Sequence, residues 1–244
     1  MATIERGELL SKQVEHAVRE RIRQGCFAPG EQLPPENELA AMYGVSRATV
    51  RVALANLQRE GTVVRRQGAG TYVTQAATYL DSRLQEMWNC EDMIRARGCE
   101  PSVGWLEFEE SLPDVRVREK LALEPHQSVL IVRKVFLADG VAVIDCMDCI
   151  PRALIKKPFT RDDLAQNVFA FLEEFAGESA TYYVAELVPT VAEGAMAKRL
   201  ECKVGTPLLL FDEVAYNTRD QAISCSLVHH RREGVLFRFV QSKP

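Results

Sequence analysis

Tyr43-Gly44-Val45-Ser46-Arg47-Ala48-Thr49-Val50-Arg51 sets the architecture of the first third of this 244-residue chain. Gly44 suits the left-handed stop of one helix, and Ser46 suits the N-cap of the next. Arg47 and Arg51 are four residues apart, so they share one outward face of that second helix. Upstream, Leu10, Val14, Ala17, Val18 and Ile22 recur at helical spacing from Leu9 to about Gln24, and Gly25 ends the pattern. Pro29-Gly30 marks a turn. Leu33-Pro34-Pro35-Glu36 then opens a helix through Leu39, Ala40 and Met42, proline being tolerated where its missing N–H would have no partner. Downstream, the helix begun at Arg47 runs to about Glu60 with Val50, Leu54 and Leu57 inward, and Gly61 stops it. Two β-prone runs, Val63–Arg66 and Thr71–Val73, flank Gln67-Gly68-Ala69-Gly70 and predict a hairpin. Helix, helix, turn, helix and wing is an arrangement that places a short arginine-bearing helix in a DNA major groove.

The rest of the chain has a different character. Helical spacing around Leu84–Ala96 ends at Gly98, and β-prone runs follow at 103–109, 128–137, 141–150, 181–188, 208–216, 222–230 and 235–240. Helices are expected at Val115–Leu121, Val168–Phe175 and Val191–Leu200. Asp139-Gly140 and Thr218-Arg219-Asp220-Gln221 signal hairpins. The expected class is therefore α+β: a winged helix-turn-helix over 1–75, a linker at 76–79, and an antiparallel-sheet domain over 80–244.

Charge divides the same way. Residues 1–75 carry ten Lys/Arg against eight Asp/Glu, and the remainder twenty against twenty-six, so the overall −4 hides a basic N-terminal segment. Attraction to phosphate follows local charge. No apolar run is long enough to span a membrane, and Met1–Arg6 does not begin like a secretory signal, so a cytoplasmic protein is expected. Seven cysteines, at 26, 90, 99, 146, 149, 202 and 225, form no disulfide framework and read as reduced thiols. Asp145-Cys146-Met147-Asp148-Cys149 invites a metal or thiol-sensing alternative through Cys146 and Cys149, with His229-His230 and Cys225 as further ligands. A strand, however, sends positions three apart to opposite faces. No metal and no cofactor are expected. An enzyme is not expected either, because titratable groups such as Asp145 and His229 form no recognisable catalytic set.

Four motifs in order, Leu33–Ala40, Tyr43–Arg51, Leu57–Gly61 and Arg65–Val73, resemble the GntR family of bacterial regulators. Pro35 and Asn37 stand where that family usually has Ser and Arg. The second half resembles the UTRA effector domain of the HutC subfamily through Leu121-Ala122-Leu123, Leu137-Ala138-Asp139-Gly140, Cys149-Ile150-Pro151, Gly205-Thr206-Pro207-Leu208-Leu209 and Arg231-Arg232-Glu233. The resemblance implies a fold like that of chorismate lyase and a homodimer. It further implies a transcription factor, a repressor, whose affinity for double-stranded operator DNA is set by a small-molecule effector. Arg47, Thr49 and Arg51 are the expected DNA contacts on the helix, and Arg65, Arg66, Gln67, Gly68 and Gly70 those on the wing. The expected effector pocket lies over the sheet and draws on the strands around 132–136, 143–148 and 222–230 and the loop near 88–91. Its expected members are Lys134, Phe136, Asp145, Ser224, Ser226, His230 and Arg231. Phe136 and Ser224 stand where members that recognise sugar phosphates tend to have Arg and Glu, which argues against such an effector here.

Overall fold

A computed structural model describes residues 9–77, 89–234 and 237. The chain forms two units, Met1–Glu86 with Phe237–Pro244, and Met87–Leu236. The expected strand at 235–240 and the first turn of the expected helix at 84–96 fall almost wholly outside the described residues.

In the first unit, α1 (Leu10–Arg23), α2 (Glu36–Tyr43) and α3 (Arg47–Arg59) bury Val14, Val18 and Ile22, Leu39 and Ala40, and Val50, Ala53, Leu54 and Leu57 in one core. Gly44 ends α2 at φ 65°, a conformation that costs glycine nothing. Ser46 caps α3 by accepting from the Thr49 N–H at 3.1 Å. Strands β1 (Val63–Arg66) and β2 (Gly70–Val73) pair antiparallel as the wing. Residues 30–33 add a third extended segment that the sequence pattern does not announce. Gly30 and Leu33 donate to the carbonyls of Val73 and Thr71, and Val73 donates back to Glu31. Residues 75–77 close one short turn, and Ala77 is buried in the same core, so the expected linker begins inside the first unit; 78–79 lie outside the described residues.

The second unit is a six-stranded, fully antiparallel sheet ordered β3-β4-β5-β8-β7-β6. Its strands are β3 (Pro101–Ser111), β4 (Val129–Ala138), β5 (Val141–Pro151), β6 (Tyr182–Val191), β7 (Pro207–Tyr216) and β8 (Ala222–His230). After α4 (Cys90–Arg95), the chain runs strand, helix, strand, strand twice: β3-α5-β4-β5, then β6-α7-β7-β8, with α5 at Val115–Lys120 and α7 at Gly194–Arg199. The halves match in detail. Each helix is followed by a buried leucine, Leu121 or Leu200, and then a left-handed residue, Ala122 at φ 48° or Glu201 at φ 50°. The halves meet along a seam where β5 pairs with β8. Between them, α6 (Val168–Phe171) and one wider turn to Ala176 pack Phe171, Leu172 and Phe175 on one face of the sheet with Leu130, Val132 and Ile150. The opposite face packs Val117 and Leu121 of the α5 segment against Cys149, Val214 and Cys225. Because both faces are covered, β4 and β5 read as near-continuous apolar runs.

Candidate functional sites: a basic groove and a buried polar cavity

In the first unit, Arg47, Arg65, Arg66, Gln67, Gly68 and Gly70 line one groove of about 460 Å³ between the start of α2, the start of α3 and the wing. Glu36, at the first position of α2, sits under its arginines. It pairs with Arg65 and lies 3.9 Å from Arg47, whose side chain stays 69% exposed. Arg66 lies 4.2 Å over the Tyr72 ring, a cation–π contact that holds its guanidinium on the wing. Gly70 is needed for a local reason: a side chain there would run into Gln32, whose amide donates to the Ala69 carbonyl at 2.9 Å across the wing tip. Arg51 is exposed on α3 and does not line the groove. Thr49 is half-buried, and its hydroxyl is engaged with Ser46 Oγ at 2.8 Å, so it braces the helix start. Glu36 and Gln32 were the residues missed; each is ordinary in sequence and acquires its role only through tertiary contact.

In the second unit, Lys134, Phe136, Ser226 and His230 line a small cavity of about 40 Å³, joined by Asn89 and Cys90 from the start of α4 and by Phe169 from α6. Lys134 is almost wholly buried. Its ammonium donates to the Gln166 carbonyl at 2.9 Å and lies 3.5 Å from Asp148. Asp148 also accepts from Ser226 Oγ at 2.7 Å and from Cys146 Sγ at 3.4 Å. His230 packs against the Phe211 ring with 4.7 Å between centroids, and burial pushes it down to about 3, so it is neutral. Glu213 completes the wall: burial first, then the nearby Asp148 and Asp212 charges, push its carboxyl up to about 8.

Three expected pocket residues lie elsewhere. Asp145 precedes Cys146 by one position, so the pleat turns it to the far face, where it is ion-paired with Arg199 at 2.7 Å. Ser224 is buried opposite Ala215, off the cavity. Arg231 ties the two halves together by donating to the carbonyls of Ala142 and Leu200 at 2.9 and 3.0 Å. Asp148 and Glu213 take places in the wall that sequence reasoning did not assign, and the Gln166 carbonyl behind it accepts from Lys134. A larger hollow, about 960 Å³, is bounded by the loops at 120–128, 151–155 and 216–223. It contains none of the expected effector residues and gathers no comparable set of buried charges.

The cysteines follow the pleat. Cys146 faces the cavity, whereas Cys149 lies on the other face, directly across the seam from Cys225. Cys146 and Cys149 therefore do not converge, and no group of three or more metal-ligating side chains occurs among the described residues. No described helix is long and apolar enough to cross a membrane.

Two family models match the chain: bacterial regulatory proteins of the gntR family over residues 10–73, and the UTRA domain over residues 96–235. The histidine utilization repressor of Pseudomonas putida is 29% identical over 230 residues, covering 92% of this chain and 91% of that protein. An uncharacterized HTH-type transcriptional regulator, YurK of Bacillus subtilis (strain 168), is 27% identical over 217 residues, covering 88% of each. Among solved structures, the possible transcriptional regulator YydK of Bacillus subtilis superposes with a TM-score of 0.73 at 17% identity, covering 95% of this chain and all of that one. The helix-turn-helix with its wing, the six-stranded sheet and these matches together identify the chain as a member of the GntR family, HutC subfamily: a transcriptional regulator with a UTRA effector-binding domain.

Proposed function

We propose that the protein works as a homodimeric repressor that is not an enzyme. In this reading α3 enters the major groove of operator DNA, the wing follows the adjacent backbone, and a small molecule in the Lys134–Glu213 cavity changes the affinity. The observation that carries the DNA half is the convergence of Arg47, Arg65 and Arg66 on one groove beside the free face of α3. Guanidinium groups in that setting clamp phosphates or guanine edges.

The dimer is supported by the two edges of the sheet. On β3 the edge carries Glu107, Glu109 and Glu110, charges that discourage strand addition. On β6 it exposes Tyr182, Val184, Leu187 and Val188 with a single carboxylate, Glu186. An apolar edge of that length suits a second copy of the chain. Control by ligand is supported by α4, which lines the cavity and is the first described element after the segment joining the two units. A ligand that favours one placement of α4 shifts the population of DNA-competent dimers.

Selection of duplexes from a random-core pool by the full chain tests this reading. The expected product is an inverted repeat with half-sites one helical turn or a multiple apart, bound with an affinity that falls steeply with salt. Enrichment of no sequence, or of a lone half-site bound by a monomer, would overturn it.

A further inference from the structure

Resting on the reading of the cavity as the effector site, we propose that it takes a small organic cation of the amine, amidine or imidazolium class, held between Glu213 and Asp148. Glu213 on β7, Ser226 on β8 and Asp148 on β5 are successive cross-strand partners, so the three form one row across the sheet on the cavity side. Ser226 donates to Asp148. Glu213 receives no hydrogen bond among the described residues.

Charge decides the class. Lys134 on β4 is the one cation in the described wall, and it is already engaged by Asp148 and by the Gln166 carbonyl. His230 on β8 is neutral. Of the other groups near Glu213, Tyr183 on β6, Cys146 on β5 and Cys90 on α4 offer no positive charge. Asp212, the neighbour on its own strand, is committed to Arg116 and Lys120 of α5. An anionic ligand would meet two carboxyls and no spare cation. A cation restores balance by letting Glu213 ionise in place, and the walls of Phe136 and Phe169 suit an organic one. About 40 Å³ admits a head group of a few atoms.

Binding then expels the proton from Glu213. The affinity for a fixed cation should rise close to tenfold per pH unit as long as Glu213 is protonated in the free protein, and level off above about pH 8.

The test uses three probes of one shape and different charge: acetamidinium, acetamide and acetate. Each is titrated into the full chain with NMR signals of Ser226 and Cys90 reporting the cavity and the labelled Glu213 carboxyl reporting its proton. Acetamidinium is expected to bind best, to tighten from pH 6.5 to 8, and to lower the Glu213 midpoint. Glu213→Gln is expected to bind it more weakly with no pH dependence, and the wild-type titration is decisive alone should that variant fail to fold. Preference for acetate, or a pH-independent acetamidinium affinity, would overturn the cationic class and leave the cavity as the effector site. If none of the three moves the Ser226 and Cys90 signals, the cavity loses its role as effector site and the class falls with it.

Discussion

Two ion-paired clusters in this chain use the same chemistry in opposite surroundings. In the first unit, Glu36 holds Arg65 and Arg47 at the surface, where water screens the attraction and the guanidinium groups remain free to exchange partners. In the second, Lys134 and Asp148 are all but sealed from solvent, with side chains 3% and 4% exposed. There each charge is tolerable only because the other is present. The exposed cluster is a set of contacts waiting for phosphate. The buried one is part of the wall of a receptor, and removing either half leaves a charge with nowhere to go.

The sharpest way to break that contrast is Lys134→Met, which strands the Asp148 carboxylate. The expected loss is about 3–5 kcal/mol, or roughly 10 °C in Tm for a chain of this size, read by thermal unfolding. Lys134→Met combined with Asp148→Leu should recover most of it. A single variant as stable as wild type would show that the pair is not a structural element. The next largest effect belongs to the exposed region and should leave Tm alone. Arg51→Ala is expected to weaken binding to the selected duplex by about 1–3 kcal/mol, roughly a five- to 150-fold rise in Kd read from fluorescence anisotropy titrations. An equal loss on every sequence would make Arg51 a phosphate contact, and a loss confined to one base position would make it a reader.

A third effect separates the regions by pH. Folded Glu213 keeps its proton up to about 8, whereas an unfolded chain releases it near 4.3. Folding thus takes up a proton between those values, and stability falls as pH rises through them. His230 acts in the opposite sense, because the unfolded chain binds a proton below about 6.5 that the buried ring refuses down to about 3. Above about 6.5 the His230 contribution fades and that of Glu213 persists to about 8, at about 1.4 kcal/mol per pH unit at most. Chemical denaturation across that interval should show the decline in wild type and its absence in Glu213→Gln. The smallest effect is Glu36→Ala, expected to cost under about 1 kcal/mol. A larger loss of Tm would mean that the surface cluster is structural after all.

The same contrast explains what could be read without coordinates. Ser46, Gly44 and Arg47 lie within a few residues of one another, and their roles as cap, stop and exposed cation are local, so the pattern carried them. Strand limits were legible for the same reason, β7 and β8 falling within a residue of expectation. The cavity wall is a non-local object. Asp145 and Asp148 are interchangeable by composition, and only the register Asp148↔Ser226 puts one in the wall and the other under α7. Glu213, in Phe211-Asp212-Glu213, reads as an ordinary solvated acid until its pairing with Ser226 is known. Cys149 meets Cys225 for the same reason, while its neighbour in the motif, Cys146, does not.

The matched halves of the sheet also give the molecule an order of assembly. Each half has one tight hairpin and one strand joined to it through a short helix, with contacts between near neighbours that close at little entropic cost. The β5–β8 seam joins residues as distant as Ile144 and His230, and such long-range pairings form late. Cys146, Asp148, Ser226 and His230 of the cavity lie on that seam, and Lys134 and Glu213 lie one strand to either side. A chain still emerging from the ribosome has no receptor until β8 is laid in, and a ligand present at that moment would favour the closed sheet over the open one. The regulator would then become competent to sense its effector only in the closing step of its own folding.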